Sequence, residues 1–464
     1  MTSTRSLVTT AVTISMLFGA FAHAQTDWRT FGFDRLRTGY NPEEAILSPQ
    51  TVPSLTARRS IDLGAPMTAQ PVEMGGILYE GTWGGIVYAL DPASGSVLWM
   101  DQLGTVQTSC GDFAPDYVIG VIHTLTTDAS NGRIYAISGA GLLHTLDAVT
   151  GNEWPGYPIQ LMDPANIGQT FVYGSPTYSF ENGSLYVVTA SACDQGAYSG
   201  QVVQVDVFWN DAPQVISRWL VTGIDGILGG GIWRPGGVAL DPTVALYTAT
   251  GNALTDPESY SYADKVVRLG LDLSVQGADG PNISGGDLDF GSTPVLYQAP
   301  GCPPQLAAMN KNGALYVYNR DAIGSGPVQV LQISGQQTFI GAVAYDPVLD
   351  QVYTGNAADD GVGIFNHGII ALAPQSDCTL SLAWQQPVGP NDGPSVIPPI
   401  AANGVVYYAT GAGSQVYAFD AASGRYLWDS GSLIQNGIYA SPMVVNGQLF
   451  VAGFDHKLYA FGLP

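Results

Sequence analysis

The stretch that decides the fold runs Val87-Tyr-Ala-Leu-Asp-Pro-Ala-Ser-Gly-Ser-Val-Leu-Trp99, and it recurs as Val416-Tyr-Ala-Phe-Asp-Ala-Ala-Ser-Gly-Arg-Tyr-Leu-Trp428. Each copy predicts a strand, a tight turn and a second strand that ends in tryptophan. The Asp at the start of the turn accepts hydrogen bonds from the turn backbone, and the Gly that follows tolerates a positive φ. The indole ring then packs between neighbouring sheets. The chain therefore contains a repeated β-hairpin unit.

Weaker copies of this unit fill the sequence between the two clear ones. His144-Thr-Leu-Asp-Ala-Val-Thr-Gly151 keeps the strand and the turn, and Leu315-Tyr-Val-Tyr-Asn-Arg320 keeps a strand. A second marker is an apolar residue followed by an aromatic one. It occurs at Leu78-Tyr79, Ile134-Tyr135, Leu185-Tyr186, Leu246-Tyr247, Val352-Tyr353, Val406-Tyr407 and Leu449-Phe450. About eight units at intervals of roughly 43 to 61 residues indicate a propeller of four-stranded blades.

The final unit indicates how the ring closes. It starts at Leu449 and stops at Pro464, after its inner strands, so one strand is missing. We expect Trp28-Arg-Thr-Phe-Gly-Phe33 to supply that strand, since the pairing would remove an exposed sheet edge. A row of independent sandwich domains is the competing fold, but the sequence shows no linkers. The sequence thus predicts an all-β, single eight-bladed propeller of four-stranded antiparallel blades over residues 25–464.

The first residues predict export. Arg5 is followed by a mostly apolar run from Leu7 to Phe21 and by Ala22-His-Ala24, the small-x-small pattern at which signal peptides are cleaved. That run is too short for a membrane-spanning helix, which needs about 20 apolar residues. We expect residues 1–24 to be a signal peptide and the mature protein to be periplasmic or secreted, with no membrane span.

Composition agrees with a β-rich exported protein and excludes one class of partner. The chain has 58 glycines, a charged fraction of 11% and a formal net charge of −23. Nucleic acid binding needs clustered Lys and Arg, so a nucleic acid partner is not expected. The acidity by itself identifies no substrate, because it also serves solubility.

The four cysteines suggest two disulfides. An even number in an exported chain allows three connectivities, of which we favour Cys110–Cys193 and Cys302–Cys378. No CxxC or CxxCH occurs, so neither a zinc knuckle nor a covalently attached haem is encoded. No HExxH, no Gly-x-Ser-x-Gly and no phosphate loop occurs either, which argues against hydrolases and nucleotide enzymes.

The repeat resembles that of the pyrroloquinoline quinone (PQQ) dehydrogenases. The motif that shows the resemblance is Tyr-Ala-Leu-Asp-x-x-x-Gly-x-x-x-Trp. The opening segment is also similar to the start of such proteins; it reads Trp28-Arg-Thr-Phe-Gly-Phe-Asp-Arg-Leu-Arg-Thr-Gly-Tyr-Asn41. The resemblance extends from about Asp27 to Pro464. It implies the propeller more firmly than an activity, because non-catalytic propellers share the repeat.

The same resemblance implies roles for single residues. Thr250-Gly-Asn252 resembles the segment whose Asn ligates a catalytic Ca²⁺, an ion that prefers oxygen ligands. Asp287-Leu-Asp-Phe-Gly291 resembles the segment of the catalytic base, which implies that Asp289 accepts the alcohol proton and is also a ligand of the metal. Asn310-Lys-Asn-Gly-Ala-Leu-Tyr316 implies that Lys311 contacts the quinone oxygens. Gly231-Ile-Trp-Arg-Pro-Gly236 implies that Trp233 lies against the cofactor ring.

Two departures from the family pattern concern the third blade and the cysteines. Where methanol-type members have a Glu as second calcium ligand, this chain has Gln195, and the neighbouring Asp194 is the substitute ligand that we consider. The disulfide between adjacent cysteines that covers the cofactor in those enzymes is absent. A bridge between Cys110 and Cys193 is expected to lie over the same cavity.

Each of these residues also has a purely structural interpretation. Asn252 fits a turn after a strand, and Lys311 fits a solvated hairpin turn. Trp233 fits inter-blade packing. Asp287 and Asp289 alternate along an expected strand and would face the same side as edge carboxylates.

Two hypotheses therefore stand. In the first, the protein is a quinoprotein dehydrogenase that oxidises a small alcohol or a sugar hydroxyl with PQQ and Ca²⁺ and passes electrons to a separate, soluble acceptor. In the second, it is a non-catalytic propeller that serves as a protein- or carbohydrate-binding scaffold. The departure at Gln195 favours the second, and the ordered series of candidate residues favours the first.

Overall fold

The computed structural model describes residues 26–111, 114–208, 213–222, 228–233, 235–254, 261–280, 287–338, 341–389 and 395–464. The predicted signal peptide, residues 1–24, lies outside the described residues. The described chain is an eight-bladed β-propeller, and its blades are four-stranded antiparallel sheets with few additional pairings. This confirms the predicted fold class.

The strands succeed one another blade by blade along the chain. Two N-terminal strands, β1 (Tyr40–Asn41) and β2 (Thr56–Asp62), precede the first blade. Blade 1 is β3 (Val72–Met74), β4 (Ile77–Gly81), β5 (Ile86–Leu90) and β6 (Val97–Gln102), and a small sheet of β7 (Val106–Gln107) and β8 (Val118–Ile119) follows. Blade 2 is β9 (Thr126–Asp128), β10 (Arg133–Ile137), β11 (Leu142–Asp147) and β12 (Ile159–Gln160). Blade 3 is β14 (Thr177–Ser179), β15 (Ser184–Ser191), β16 (Gln201–Asp206) and β17 (Gln214–Leu220), with β13 (Thr170–Phe171) added to β15.

The later blades repeat the same order. Blade 4 is β18 (Ala239–Asp241), β19 (Ala245–Ala249), β20 (Val266–Leu269) and β21 (Val275–Asp279), and blade 5 is β22 (Val295–Tyr297), β23 (Gln305–Met309), β24 (Ala314–Asn319) and β25 (Gln329–Gln332). Blade 6 is β26 (Ala344–Asp346), β27 (Gln351–Asn356), β28 (Gly368–Pro374) and β29 (Leu380–Gln386). Blade 7 is β30 (Ile400–Ala402), β31 (Val405–Ala409), β32 (Val416–Asp420) and β33 (Tyr426–Asp429). Blade 8 contains β34 (Met443–Val445), β35 (Gln448–Ala452) and β36 (Lys457–Gly462). Short 3₁₀ turns lie at Val52–Ser54, Pro115–Tyr117, Pro164–Asn166, Ala192–Asp194 and Arg320–Ser325.

In blades 1 and 6 a tryptophan of the repeat joins the blade to the next one. The indole Nε1 of Trp384 in blade 6 donates to the carbonyl of Ala421 in blade 7 at 3.0 Å. The same indole lies over Gly424, where an added Cβ would come within 2.5 Å of the ring. Gly424 also has a φ of +71°, so the turn needs glycine both for its backbone and for the tryptophan. Trp99 packs over Gly151 in the same way, which confirms the predicted role of the ring between sheets.

An N-terminal strand completes the last blade, but it is not the predicted one. Strand β2, Thr56–Asp62, pairs antiparallel with β36 and forms the outer edge of blade 8. The expectation for Trp28–Phe33 was wrong, since Trp28 makes only an isolated bridge to Glu73 and is fully buried. The reason is the aromatic content of that segment, which requires burial, whereas an outer strand is largely exposed.

The segment Trp28–Asn41 instead lies inside the ring. Its residues hydrogen-bond to the inner strand of each of the eight blades, through the backbone or through the Arg37 and Asn41 side chains. The bonds join Trp28 with Glu73, Arg29 with Thr127, Arg37 with Thr177, Arg35 with Leu240, Leu36 with Leu296, Thr38 with Tyr345, Gly39 with Ala401, and Asn41 with Val444. This segment therefore ties all the blades to one another.

The two disulfides have the predicted pairing. Cys110 is bonded to Cys193, and Cys302 to Cys378. The second bridge links the β22–β23 turn of blade 5 to the β28–β29 turn of blade 6. Within the described residues, no helix has the length and apolar character needed to span a membrane.

Candidate active site

The residues predicted to form the site all lie in loops at one end of the ring. In each blade the antiparallel chain runs along the inner strand and returns along the second one. Loops that precede inner strands and loops that follow second strands therefore lie at the same end of the ring. Trp233 and Asp289 precede the inner strands β18 and β22, whereas Asp194, Asn252 and Lys311 follow the second strands β15, β19 and β23. We call this end of the ring the site face.

The carboxylate of Asp289 is at the centre of the group. Asp289 is buried, and its Oδ1 accepts a hydrogen bond from the backbone N–H of Asn252 at 2.7 Å. Its Oδ2 accepts from the indole Nε1 of Trp233 at 3.1 Å and lies 2.6 Å from Nζ of Lys311. Gly251 leaves room for this arrangement, because a Cβ there would be 2.3 Å from Oδ1. Three of the other predicted residues, Asn252 through its backbone and Trp233 and Lys311 through their side chains, therefore meet at the Asp289 carboxylate.

Lys311 is the cation of this group. Its turn predicts a solvated side chain, yet only 4% of the residue is exposed. Nζ bonds Asp287 Oδ1 at 2.5 Å as well as Asp289, and it lies 4.8 Å from the centre of the Trp233 ring. Burial inside an ion-pair network with an aromatic neighbour makes this lysine unlike a surface turn residue.

The segment Asp287–Gly291 was expected to be a strand with both Asp side chains on the same side. It forms no strand; it is an irregular loop before β22. The backbone N–H of Lys311 donates to the carbonyl of Asp289 at 2.8 Å, and the side chain of Asn310 donates to Leu288. The turn after β23 therefore holds this loop, and both Asp carboxylates still point to the same ammonium group.

The third blade brings Asp194, and not Gln195, towards the group. The Gln195 Oε1 accepts a hydrogen bond from the hydroxyl of Ser109 at 2.6 Å, so it serves to join two loops. The hydroxyl of Tyr198 donates to Asp194 Oδ1 at 2.5 Å. Loss of hydration raises the pKa of Asp194, and the negative charges of Asp289 and Asp287 raise it further, while the Tyr198 hydrogen bond lowers it.

Tyr198 is the part of this site that the sequence did not reveal. The side chain is 4% exposed, and burial raises the pKa of its phenol, as does the neighbouring Asp194 carboxylate. The sequence offered one signal, a tyrosine four positions after Asp194 in the same loop. No repeat or motif marks that position, so the signal has no weight without the loop geometry.

The disulfide Cys110–Cys193 lies beside this group. Cys193 directly precedes Asp194, and Cys110 is buried in an apolar cluster with Trp83 and Phe171. Trp233 packs against the same cluster. The bridge therefore fixes the loop between blades 1 and 2 against the third blade, next to the candidate residues.

The excess of carboxylates in this group favours the binding of a hard cation. The carboxylates of Asp287 and Asp289 contact the ammonium of Lys311, and Asp194 lies near them; loss of hydration raises the pKa of Asp194, and repulsion by the two other negative charges adds to that rise. A divalent cation bound by oxygens would relieve that repulsion. Asp289, however, already bonds donors through both oxygens, and no His, Cys, Asp or Glu triplet in the described chain converges as metal ligands. Asn252 and Asp194 remain the oxygen donors without a lysine partner, and their metal role stays a prediction.

Comparison with known proteins assigns the family. A family model, PQQ_2, described as "Outer membrane protein assembly factor BamB", matches residues 51–206 and 368–462, just over half of the chain. The chain belongs to the PQQ_2 family. The two matched ranges of this PQQ_2 protein leave residues 207–367 between them, and that stretch carries Trp233, Asn252, Asp289 and Lys311.

Individual relatives of this PQQ_2 protein include dehydrogenases. A polyvinylalcohol dehydrogenase of Pseudomonas sp. is 21% identical over 93% of this chain and 73% of the relative. A quinohemoprotein alcohol dehydrogenase of Pseudomonas putida HK5 superposes with a TM-score of 0.74 at 16% identity, over 94% of this chain and 80% of that one. A europium-containing methanol dehydrogenase gives 0.73 at 15% identity, over 94% and 98%. The superpositions establish the shared propeller.

Proposed function

We propose that the protein is an exported quinoprotein dehydrogenase that oxidises an alcohol or a sugar hydroxyl. The observation that carries this proposal is the buried ion pair of Asp289 and Lys311, with the half-buried Trp233 bonded to it, at the site face. A buried ion pair is costly, and a group of ionisable side chains buried beside an aromatic ring is a candidate functional site. The curated relative and the solved dehydrogenases support the same reaction class.

Each residue has a stated task in this proposal. PQQ supplies the two-electron acceptor chemistry when bound. Asp289 takes the proton of the substrate hydroxyl at a carboxylate oxygen, and the N–H groups of Asn252 and Trp233 fix the orientation of that carboxylate. Lys311 would hold the oxygens of the quinone, and Trp233 would form one wall of its site. The electrons would pass to a separate acceptor.

The charge balance of the site is the reason for including calcium in the proposal. PQQ is anionic, and Asp194, Asp287 and Asp289 outnumber Lys311. An anionic cofactor therefore needs a cation bound beside the lysine, and the side-chain oxygens of Asn252 and Asp194 would hold it. This proposal makes PQQ binding dependent on Ca²⁺.

The test separates binding from turnover. Titration of the purified protein with PQQ, followed by calorimetry, is expected to give saturable binding with Ca²⁺ and none in a chelator. Dye-linked oxidation is then assayed on primary alcohols, secondary alcohols, aldoses and polyvinyl alcohol. Asp289→Asn should abolish turnover but retain PQQ, whereas Asp272→Asn, at an exposed turn, should change neither. Absence of PQQ binding in the presence of Ca²⁺ would refute the proposal.

A second candidate is the non-catalytic scaffold, which the description of the family model favours. The two candidates differ in one measurable respect. A scaffold has no reason to bind a quinone, and Asp289→Asn would then affect only stability. We further propose that residues 1–24 are removed on export. Sequencing the N-terminus of protein from the periplasm or medium is expected to begin at Gln25.

A further inference from the structure

Glu80 is a buried carboxylic acid that the candidate active site does not use. It lies on β4, the second strand of blade 1, and only 1% of the residue is exposed. Neither of its carboxyl oxygens has a hydrogen-bond partner in the described protein. A charged carboxylate without a partner is very costly in an apolar interior, so buried carboxylates are normally paired. Glu80 therefore fits this interior only as a neutral acid.

The side chain of Glu80 faces blade 8, across the junction at which the ring closes. Side chains alternate along a strand, and the hydroxyl of the neighbouring Tyr79 donates to the carbonyl of Ala148 in blade 2, so Glu80 points the other way. Tyr88 lies directly opposite Glu80 in the β4–β5 register and shares its side. Its hydroxyl donates to the carbonyl of Leu63, the residue that follows β2. Because β2 is the outer strand of blade 8, Glu80 lies between blades 8 and 1.

The charged groups at this junction are engaged elsewhere. On blade 1, the titratable neighbours on the same side are the Tyr88 phenol and the Glu73 carboxylate of β3, which accepts a hydrogen bond from Asn446 of blade 8. On blade 8, the charged group that reaches blade 1 is Arg59 of β2, whose guanidinium donates to carbonyls of the turn between β5 and β6. The residues of β35 and β36 that point to blade 1 are apolar: Phe450, Ala452, Leu458 and Ala460.

The isolation of Glu80 makes folding sensitive to its protonation. Loss of hydration raises the pKa of Glu80 well above its ordinary value of 4.5, the backbone N–H of Gly81 lowers it only in part, and no charged side chain contributes. The unfolded chain exposes the same side chain to water and releases the proton at the ordinary pKa. The stability of the folded ring therefore falls as the pH rises from that value to the higher pKa of the folded state.

We propose that Glu80 is a pH-sensitive latch at the closure of the ring. The neutral acid lets blade 8 pack on blade 1, and its ionisation at higher pH loosens this junction, where the N-terminal strand β2 completes the last blade. In the described chain, no other carboxyl group has both oxygens buried without a partner. The equivalent positions on the second strands of the other seven blades are uncharged: Ala136, Val187, Thr248, Ala308, Thr354, Tyr408 and Val451. The latch is independent of the reaction at the site face.

The test compares the wild-type protein with Glu80→Gln, which keeps the shape of the side chain and cannot ionise. Urea unfolding at pH 5, 6, 7 and 8 gives an unfolding constant for each protein. The ratio of the wild-type constant to that of the variant should rise at least about tenfold between pH 5 and pH 8. Glu181→Gln is the control, because that carboxylate is paired with Arg35 and its pKa is lowered. Its ratio should stay constant above pH 6.

Hydrogen exchange followed by mass spectrometry locates the effect. Between pH 6 and pH 8, and after correction for the intrinsic pH dependence, exchange in the wild type should accelerate in β2, β4 and β36 but not in β23 and β24 of blade 5. Glu80→Gln should remove the difference. A ratio of unfolding constants that stays within about twofold from pH 5 to pH 8 would overturn the proposal, and so would acceleration spread equally over all blades. If Glu80→Gln does not fold, Glu80→Met is the second variant that cannot ionise.

Discussion

At the scale of single residues, Lys311 is the side chain on which the site depends. Its ammonium is buried between Asp287 and Asp289, and removing one partner of a buried pair leaves the other charge uncompensated. We expect Lys311→Met to lower the free energy of unfolding by about 3 kcal/mol at pH 7. Urea denaturation checks this. The double variant Lys311→Met with Asp289→Asn should regain most of the loss, and equal losses in both variants would contradict the role of the ion pair.

Tyr198 acts on Asp194 through one hydrogen bond. Because this bond stabilises the charged carboxylate, its contribution is complete above the folded-state pKa of Asp194, which is raised above the usual value. It falls away as the pH drops through that pKa. We expect Tyr198→Phe to cost about 1 kcal/mol at pH 7 and clearly less near pH 3. Parallel urea titrations at the two pH values measure this, and a cost independent of pH would mean that packing, and not the hydrogen bond, is lost.

At the scale of the elements, the contact between a tryptophan and the turn of the next blade sets the geometry of the ring. Gly424 has a positive φ and no room for a Cβ under Trp384, whereas Gly431 has a positive φ and nothing within 4 Å. Gly431→Ala should therefore cost about 1 kcal/mol for the backbone alone. Gly424→Ala should cost about 2 kcal/mol more, because it also displaces the indole. Thermal unfolding of both variants compares the two costs in stability. Equal losses of stability would show that the contact with Trp384 contributes nothing.

The sequence predicted these hairpins because period, turn and tryptophan lie close together along the chain. The predictions that failed concerned contacts between residues that are far apart in the sequence. Whether Trp28 or Thr56 begins the outer strand of blade 8 depends on which segment the inner strands can bury. The aromatic segment is buried inside the ring, and the alternating, exposed Thr56–Asp62 takes the edge. Likewise, the resemblance indicated Asp289 and Lys311, but Tyr198 became visible only when the loop of blade 3 was placed.

At the scale of the whole molecule, the segment Trp28–Asn41 makes the propeller one cooperative unit, and Arg37 is its main side-chain contact. Arg37 is 1% exposed, and burial lowers its pKa to about 9. Its guanidinium donates to Thr30, Phe31, Thr177 and Val238.

Loss of that side chain would remove four buried hydrogen bonds, two within the N-terminal segment and two from it to blades 3 and 4, although Thr177 still donates to Val238. We expect Arg37→Ala to lower the free energy of unfolding by about 3 kcal/mol, against about 0.5 kcal/mol for the exposed Arg29→Ala. Urea unfolding followed by tryptophan fluorescence and by far-UV circular dichroism measures both. Because every inner strand bonds the same segment, the two signals should still change together in Arg37→Ala. Separate transitions would mean that the blades are held mainly by their neighbours, and that the N-terminal segment only fills the channel.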